Sequence, residues 1–209
     1  MTIIGFIGKP RTGKTLLMVF MAYTNFVNGH EIMANFLLKE PFKFKRMSPY
    51  DMLKIPYTTV DREKKTLLIQ EADKWFNARR SMRAENTLLG GLTGQSGKRN
   101  LNIYWDTQFP HLVDNQLRLV TEIIFHANVI IDDKTNEPLA FQYLREDIDG
   151  MTKLAPIPAI LMQPYYSMYD SYEATATITQ SKSMDELSEI VNPDHIEKKK
   201  TRRKKNYEY

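Results

Sequence analysis

The sequence predicts an α/β domain built on a mostly parallel central sheet, with helices covering both faces. Three observations predict it. An apolar run at 2–8 leads straight into a glycine-rich turn and then a helix-forming stretch, the order strand, turn, helix. Further short apolar runs, at 66–70, 101–107 and 123–131, alternate with stretches of helical character, as parallel sheets require. The 209 residues suffice for one full core.

The first element carries the strongest motif. Gly8-Lys9-Pro10-Arg11-Thr12-Gly13-Lys14-Thr15 fits G-x-x-x-x-G-K-[ST] at each fixed position, and Leu16 opens the apolar run 16–22. The glycines let the backbone curl so that its N–H groups face phosphate oxygens, and the helix starting near Lys14 adds its positive end. Residues 8–16 are thus the expected nucleotide-binding segment. The Lys14 ammonium reaches the β- and γ-phosphates of ATP, and the Thr15 hydroxyl is the expected ligand of Mg2+.

The later elements follow in order. The first helix runs through 16–28 and ends near Gly29; a second strand spans 30–38. Residues 40–56 read as a basic loop with a short helix around 49–53, and 61–65 as a charged turn. A buried strand occupies 66–70, a helix 71–83, and a loop with four glycines 87–99. The next strand is 101–107, then a turn and short helix at 110–118, a strand at 123–131, a hairpin turn at 132–138 and its partner strand at 139–144. Residues 156–173 are rich in proline and tyrosine. A short helix at 184–191 precedes a tail read as disordered from Pro193. The division expected is an ATPase domain over 1–180 and a polar, basic tail over 181–209.

Composition narrows the chemistry. There is no cysteine, which excludes disulfides and thiolate chemistry. No apolar run is long enough for a transmembrane helix, and the N-terminus lacks a signal-peptide pattern. The net charge of +4 resides in the tail: 197–209 alone carries +5, leaving −1 for the rest. A nucleic-acid surface on the folded part must therefore be a local patch.

Hydrolysis needs a carboxylate at the end of a strand beside the phosphate loop. The strand 66–70 ends in Gln70-Glu71, where the usual pattern is Asp-Glu. Glu71 is the expected base for the attacking water. Gln70 still hydrogen-bonds a magnesium-bound water but brings no charge, and Asp73 or Glu71 is the expected compensation. Gln108, ending the next strand, is placed to contact γ-phosphate and water. Arg99 and Arg118 are candidates for an arginine finger reaching a neighbouring subunit's site. Trp75 and Phe76 read as core or interface anchors.

Taken in order, GKPRTGKT, MANFLL with Asn35, LLIQEADKWF, NIYWDTQFPHLVDNQLR with Thr107-Gln108, Asp114 and Arg118, and Tyr169-Asp170-Ser171 resemble the FtsK–HerA superfamily of P-loop ATPases. The resemblance covers about residues 1–175 and lies nearest the zonula occludens toxin-like and viral genome-packaging branch. It implies a RecA-like sheet, a ring homo-oligomer (hexamer or pentamer), and ATP-driven movement of double-stranded DNA, with capsid or virion proteins as further partners in the host cytoplasm. The alternative it implies is an ATPase for filamentous virion assembly or export, while Gln70 keeps a non-motor nucleotide switch in view.

A translocating motor grips phosphates without reading bases. Arg79, Arg80, Arg83 and Lys98 lie, with Lys74 and Arg99, on the stretch after Glu71, which carries a net +4. They are the expected DNA contacts, driven by the base at the stretch's root.

Overall fold

Nine strands among the described residues form one sheet: β1 (Ile3–Ile7), β2 (Glu31–Ala34), β3 (Phe44–Arg46), β4 (Lys65–Ile69), β5 (Leu101–Thr107), β6 (Ile123–Ile131), β7 (Pro138–Asp147), β8 (Gly150–Lys153) and β9 (Ile157–Pro158). Their order is β3-β2-β4-β5-β1-β6-β7-β8, with β9 paired to β7. The computed structural model describes residues 2–55, 64–80, 91 and 100–170. The expected turn at 61–65 falls mostly outside these residues, as do the loop at 87–99 (save Gly91), the helix at 184–191 and the proposed domain boundary.

The strands from β3 to β6 are parallel. β1 (Ile3–Ile7) lies between β5 (Leu101–Thr107) and β6 (Ile123–Ile131). β4 (Lys65–Ile69) lies between β5 and β2 (Glu31–Ala34), and β3 (Phe44–Arg46) closes that edge. β7 (Pro138–Asp147) returns antiparallel to β6 and is followed by β8 (Gly150–Lys153) and β9 (Ile157–Pro158).

Strand alternation sends successive side chains to opposite faces, and two apolar layers result. On one face Ile4, Phe6, Leu68 and Tyr104 pack with Leu16, Met18, Val19 and Ala22 of α1 (Lys14–Val27). Met162 of α5 (Ala159–Tyr166) joins them. On the other face Ile3, Leu67, Ile69, Ile103 and Trp105 meet Met52 of α2 (Pro49–Leu53). There they also meet Ala72 and Trp75 of α3 (Ala72–Trp75) and Leu117 of α4 (Asn115–Leu119). Trp75 and Phe76 are each 1% exposed, so both are core residues. The indole of Trp105 lies over Gly5 so closely that a β-carbon there would stand 2.6 Å from its Cζ2. Its Nε1 donates to Thr121 Oγ1 at 3.1 Å, so the buried polar atom is satisfied.

α2 falls where the sequence placed it, because Ser48 and Asp51 form a capping box ahead of Pro49 at the first helical position. Other expectations are corrected. A third strand, β3, forms inside the expected loop; its Lys45 and Arg46 are exposed, a charged edge that resists further strand pairing. The helix expected over 71–83 is one turn long. Phe76 leaves helical geometry, and Asn77 bridges to Val113 before a 3-10 turn at Ala78–Arg80. β7 outruns the expected 139–144, and α5 forms although Pro164 stands within it.

Candidate nucleotide site

The cleft at the carboxyl ends of β1, β4 and β5 encloses about 320 Å3. It is lined by Pro10, Arg11, Gly13, Lys14, Thr15 and Leu16 of the phosphate loop, Gln70 and Glu71 after β4, Asp106 and Gln108 of the β5 end, and Tyr169. This is the strand edge at which open α/β sheets bind ligands.

The loop is held from below by its neighbours. Gly13 has φ +85°, a left-handed conformation that favours glycine. A β-carbon at Gly13 would also stand 2.6 Å from the Phe141 ring and 3.0 Å from Tyr143 Oη, and one at Gly8 would stand 2.6 Å from the Ala127 carbonyl oxygen. Tyr143 Oη donates to the Gly13 carbonyl at 3.1 Å, linking β7 to the loop. Within the loop, Thr12 Oγ1 and Lys14 Nζ both donate to the Lys9 carbonyl, each at 2.8 Å. Burial holds the Lys14 ammonium below its ordinary pKa, opposed by the negative fields of Asp106 and Glu71.

Asp106 links the two halves of the cleft. Thr15 Oγ1 donates to its Oδ2 at 2.6 Å, and the Glu71 backbone N–H donates to its Oδ1 at 2.8 Å. It is 1% exposed. Burial pushes its carboxyl up to about 6, moderated by the hydrogen bonds from Thr15 and Glu71 and by Lys14.

Glu71 has φ 53° and ψ 56°, a left-handed position costly for a residue with a β-carbon, on the order of 1–3 kcal/mol. Its backbone bond to Asp106 and an ion pair with Lys74 fix it there. Asn35, buried just past β2, binds the Gln70 backbone twice. The Gln70 N–H donates to Asn35 Oδ1 at 2.8 Å, and Asn35 Nδ2 donates to the Gln70 carbonyl at 2.9 Å. The Gln70 side-chain Oε1 is buried and has no hydrogen-bond partner among the described residues.

The structure brings together Lys14, Thr15, Gln70, Glu71 and Gln108, as read from the sequence. Compensation for Gln70 does not come from Asp73. That carboxylate accepts from Thr107 Oγ1 at 2.6 Å and does not line the cleft. Asp114 caps α4, accepting from the Gln116 N–H at 2.8 Å. Arg118 is exposed on α4, 3.4 Å from Asn115 Oδ1, and lies outside this chain's own cleft. Arg79 is exposed, while the Arg80 side chain, Arg83, Lys98 and Arg99 lie outside the description. Asp106 was missed. Its signal is parity: it stands two residues after Tyr104, hence on the α1 face, at the strand's cleft end.

The donor set suits a nucleotide with Mg2+. Hard oxygen donors line the cleft, from the side chains of Thr15, Glu71 and Asp106. No cluster of three or more His, Cys, Asp or Glu able to hold a metal occurs among the described residues.

No family model matches the sequence, and no curated protein matches it significantly. Among solved structures, the chain is similar to the N-terminal domain of zonular occludens toxin from Neisseria meningitidis. The identity is 20% and the TM-score 0.55, covering 81% of this chain and 98% of that one. It is also similar to the genome packaging NTPase of Sulfolobus turreted icosahedral virus 2 in complex with ATP-γ-S, with 12% identity, TM-score 0.52 and coverage of 75% and 98%. A third is the pCW3 conjugation coupling protein TcpA with ATP-γ-S, with 9% identity, TM-score 0.53 and coverage of 79% and 64%. These neighbours are FtsK–HerA-type P-loop ATPases. At such identities the likeness is one of fold, and the fold is the RecA-like P-loop NTPase fold.

Proposed function

We propose that this chain hydrolyses ATP and, as a ring oligomer, drives double-stranded DNA during viral genome packaging. The observation that carries the ATPase part is the meeting of a complete phosphate loop with Glu71 and Gln108 in one cleft. Backbone N–H groups of residues 11–15 and the α1 amino end cradle the phosphates. Lys14 exchanges the Lys9 carbonyl for the β- and γ-phosphates. Thr15 is the residue that would ligate Mg2+, whose chemistry is to neutralise charge on the phosphate oxygens. Glu71 accepts the proton of the attacking water, and Gln108 orients that water and reads the γ-phosphate. Arg118 or Arg99 serves a neighbouring subunit's site, and Arg79, Arg80, Arg83 and Lys98 hold the DNA backbone.

The packaging assignment draws on the packaging NTPase among the fold neighbours. The toxin domain among them supports a second reading, an ATPase for filamentous virion assembly or export. Among the described residues no helix is long and apolar enough to cross a membrane.

The test is steady-state ATP hydrolysis with and without linear double-stranded DNA, with Lys14→Ala as the blank. Turnover that rises with DNA and disappears in the variant is expected. ATP binding without turnover under either condition would overturn the motor and leave a nucleotide-gated assembly factor.

A further inference from the structure

We propose that Asp106, at the end of β5, supplies the carboxylate that orients the magnesium water shell, a role that falls to the β4-terminal Asp in the usual Asp-Glu pattern. This rests on the nucleotide reading of the cleft given above.

The sheet register makes the exchange possible. Ile69 of β4 pairs with Trp105 of β5, and Phe6 of β1 pairs with Asp106. Asp106 is therefore level with Gln70, one strand nearer the phosphate loop. Both follow residues of the α1 face by two positions, Tyr104 and Leu68, so alternation turns both toward α1. Moving the carboxylate from the end of β4 to the end of β5 displaces it by one strand spacing, roughly 4.8 Å, along the cleft floor.

The bonds of Asp106 suit the task. Its Oδ2 holds Thr15 Oγ1, the hydroxyl expected on the metal, at 2.6 Å. Its Oδ1 holds the backbone of Glu71, the expected base, at 2.8 Å. One carboxyl group thus fixes metal ligand and base relative to each other. An ionised side chain at 1% exposure is costly in a core strand. An apolar residue there would pack with Phe6 and Tyr104 at no such cost. Meanwhile the position that would carry the acid holds Gln70, a neutral amide whose buried Oε1 has no partner among the described residues. The acid is missing from one strand end and present, buried and aimed at Thr15, on the next.

The rival is that Asp106 merely anchors Thr15 and Glu71. Asp106→Asn removes the charge at nearly the same shape: its amide oxygen keeps the bond from the Glu71 N–H, while its Nδ2 donates to Thr15 Oγ1 where the carboxylate accepted from it. The rescue variant and the carboxyl-13C measurement below, the latter with both bonds intact, therefore separate the two. Mn2+ binding to the complex with a non-hydrolysable ATP analogue is followed by electron paramagnetic resonance, beside metal-free analogue binding and thermal unfolding. Asp106→Asn is expected to weaken Mn2+ binding roughly 10- to 100-fold while metal-free analogue binding and cooperative unfolding persist. Asp106→Asn/Gln70→Asp, with the acid back on β4, is expected to recover a large part of it. Mn2+ binding by folded Asp106→Asn at the wild-type level would overturn the proposal. A second measurement needs no variant: in wild-type protein carrying carboxyl-13C aspartate, bound Mn2+ is expected to show a 13C coupling. Its absence also overturns the proposal. If wild-type protein binds no analogue at all, it is the nucleotide reading that fails.

Discussion

Asn35 grips Gln70 by both of its backbone polar groups, at 2.8 and 2.9 Å, although 35 residues of chain separate them. The pair extends the β2–β4 ladder by one rung made from a side chain. It ends β4 at a fixed point and so sets where the next residue, Glu71, enters the cleft.

Asn35→Ala is therefore expected to act on stability and turnover together. It leaves the Gln70 N–H and C=O without their partner, a loss of about 2 kcal/mol or more. Urea unfolding reads the first effect. Steady-state kinetics read the second, as a fall in kcat with KM little changed, because the phosphate loop is untouched.

Glu71→Gln keeps the backbone bond to Asp106 and removes the proposed base. Hydrolysis is expected to fall about 100-fold or more, with binding of a non-hydrolysable analogue within about twofold of wild type. A coupled phosphate-release assay and equilibrium titration check the two halves. Loss of binding instead would mean that Glu71 holds the loop together and does not act on water.

Gly5→Ala places a methyl group 2.6 Å from Cζ2 of the fully buried Trp105. Overpacking of this kind costs about 1–3 kcal/mol. Trp105→Phe removes the clashing atoms, so the double variant is expected to be more stable than the sum of the two single losses. Chemical denaturation of the four proteins in the cycle measures the coupling, and simple additivity would show that the ring moves aside freely.

His30 gives the fold a pH dependence of definite sign. Its Nδ1 lies 3.0 Å from Thr66 Oγ1, and burial, then the nearby Lys64, lower its pKa from the ordinary 6.5. The unfolded chain thus binds the proton more readily than the folded one. The stability from neutral His30 is present above pH 6.5 and is lost as pH falls through 6.5 toward the folded value. Melting temperatures from pH 8 to 5 are expected to fall less for His30→Asn than for wild type.

The sequence made β1, α1, β5 and β6 legible because each is a dense apolar run in a fixed relation to the phosphate loop. β3, β8 and β9 carried no such signal. β3 has exposed Lys45 and Arg46, and all four residues of β8 are exposed, so their pairing is set by neighbours and not by burial. The overlong helix after Glu71 was a tertiary override. Local propensity favoured continuation, but Asn77 finds a strand partner in Val113. In the site, attention to the ends of strands picked out Gln70, Glu71 and Gln108 and passed over Asp106, an acid within an otherwise buried strand. Such a residue is conspicuous only once strand parity and the order β4-β5-β1 are known together.

The antiparallel hairpin has a mechanical consequence. β6 is paired with β1 only as far as His126, opposite Ile7. From Ala127 onward it runs free of β1 with β7 alone, as an arm of roughly 13 Å to Ile131. Its pivot is the place where Ala127, Phe141 and Tyr143 touch Gly8 and Gly13. The arm ends in exposed Ile130, Ile131 and Leu139, a greasy handle beyond the sheet. A displacement of that tip would therefore be felt first at the floor of the phosphate loop.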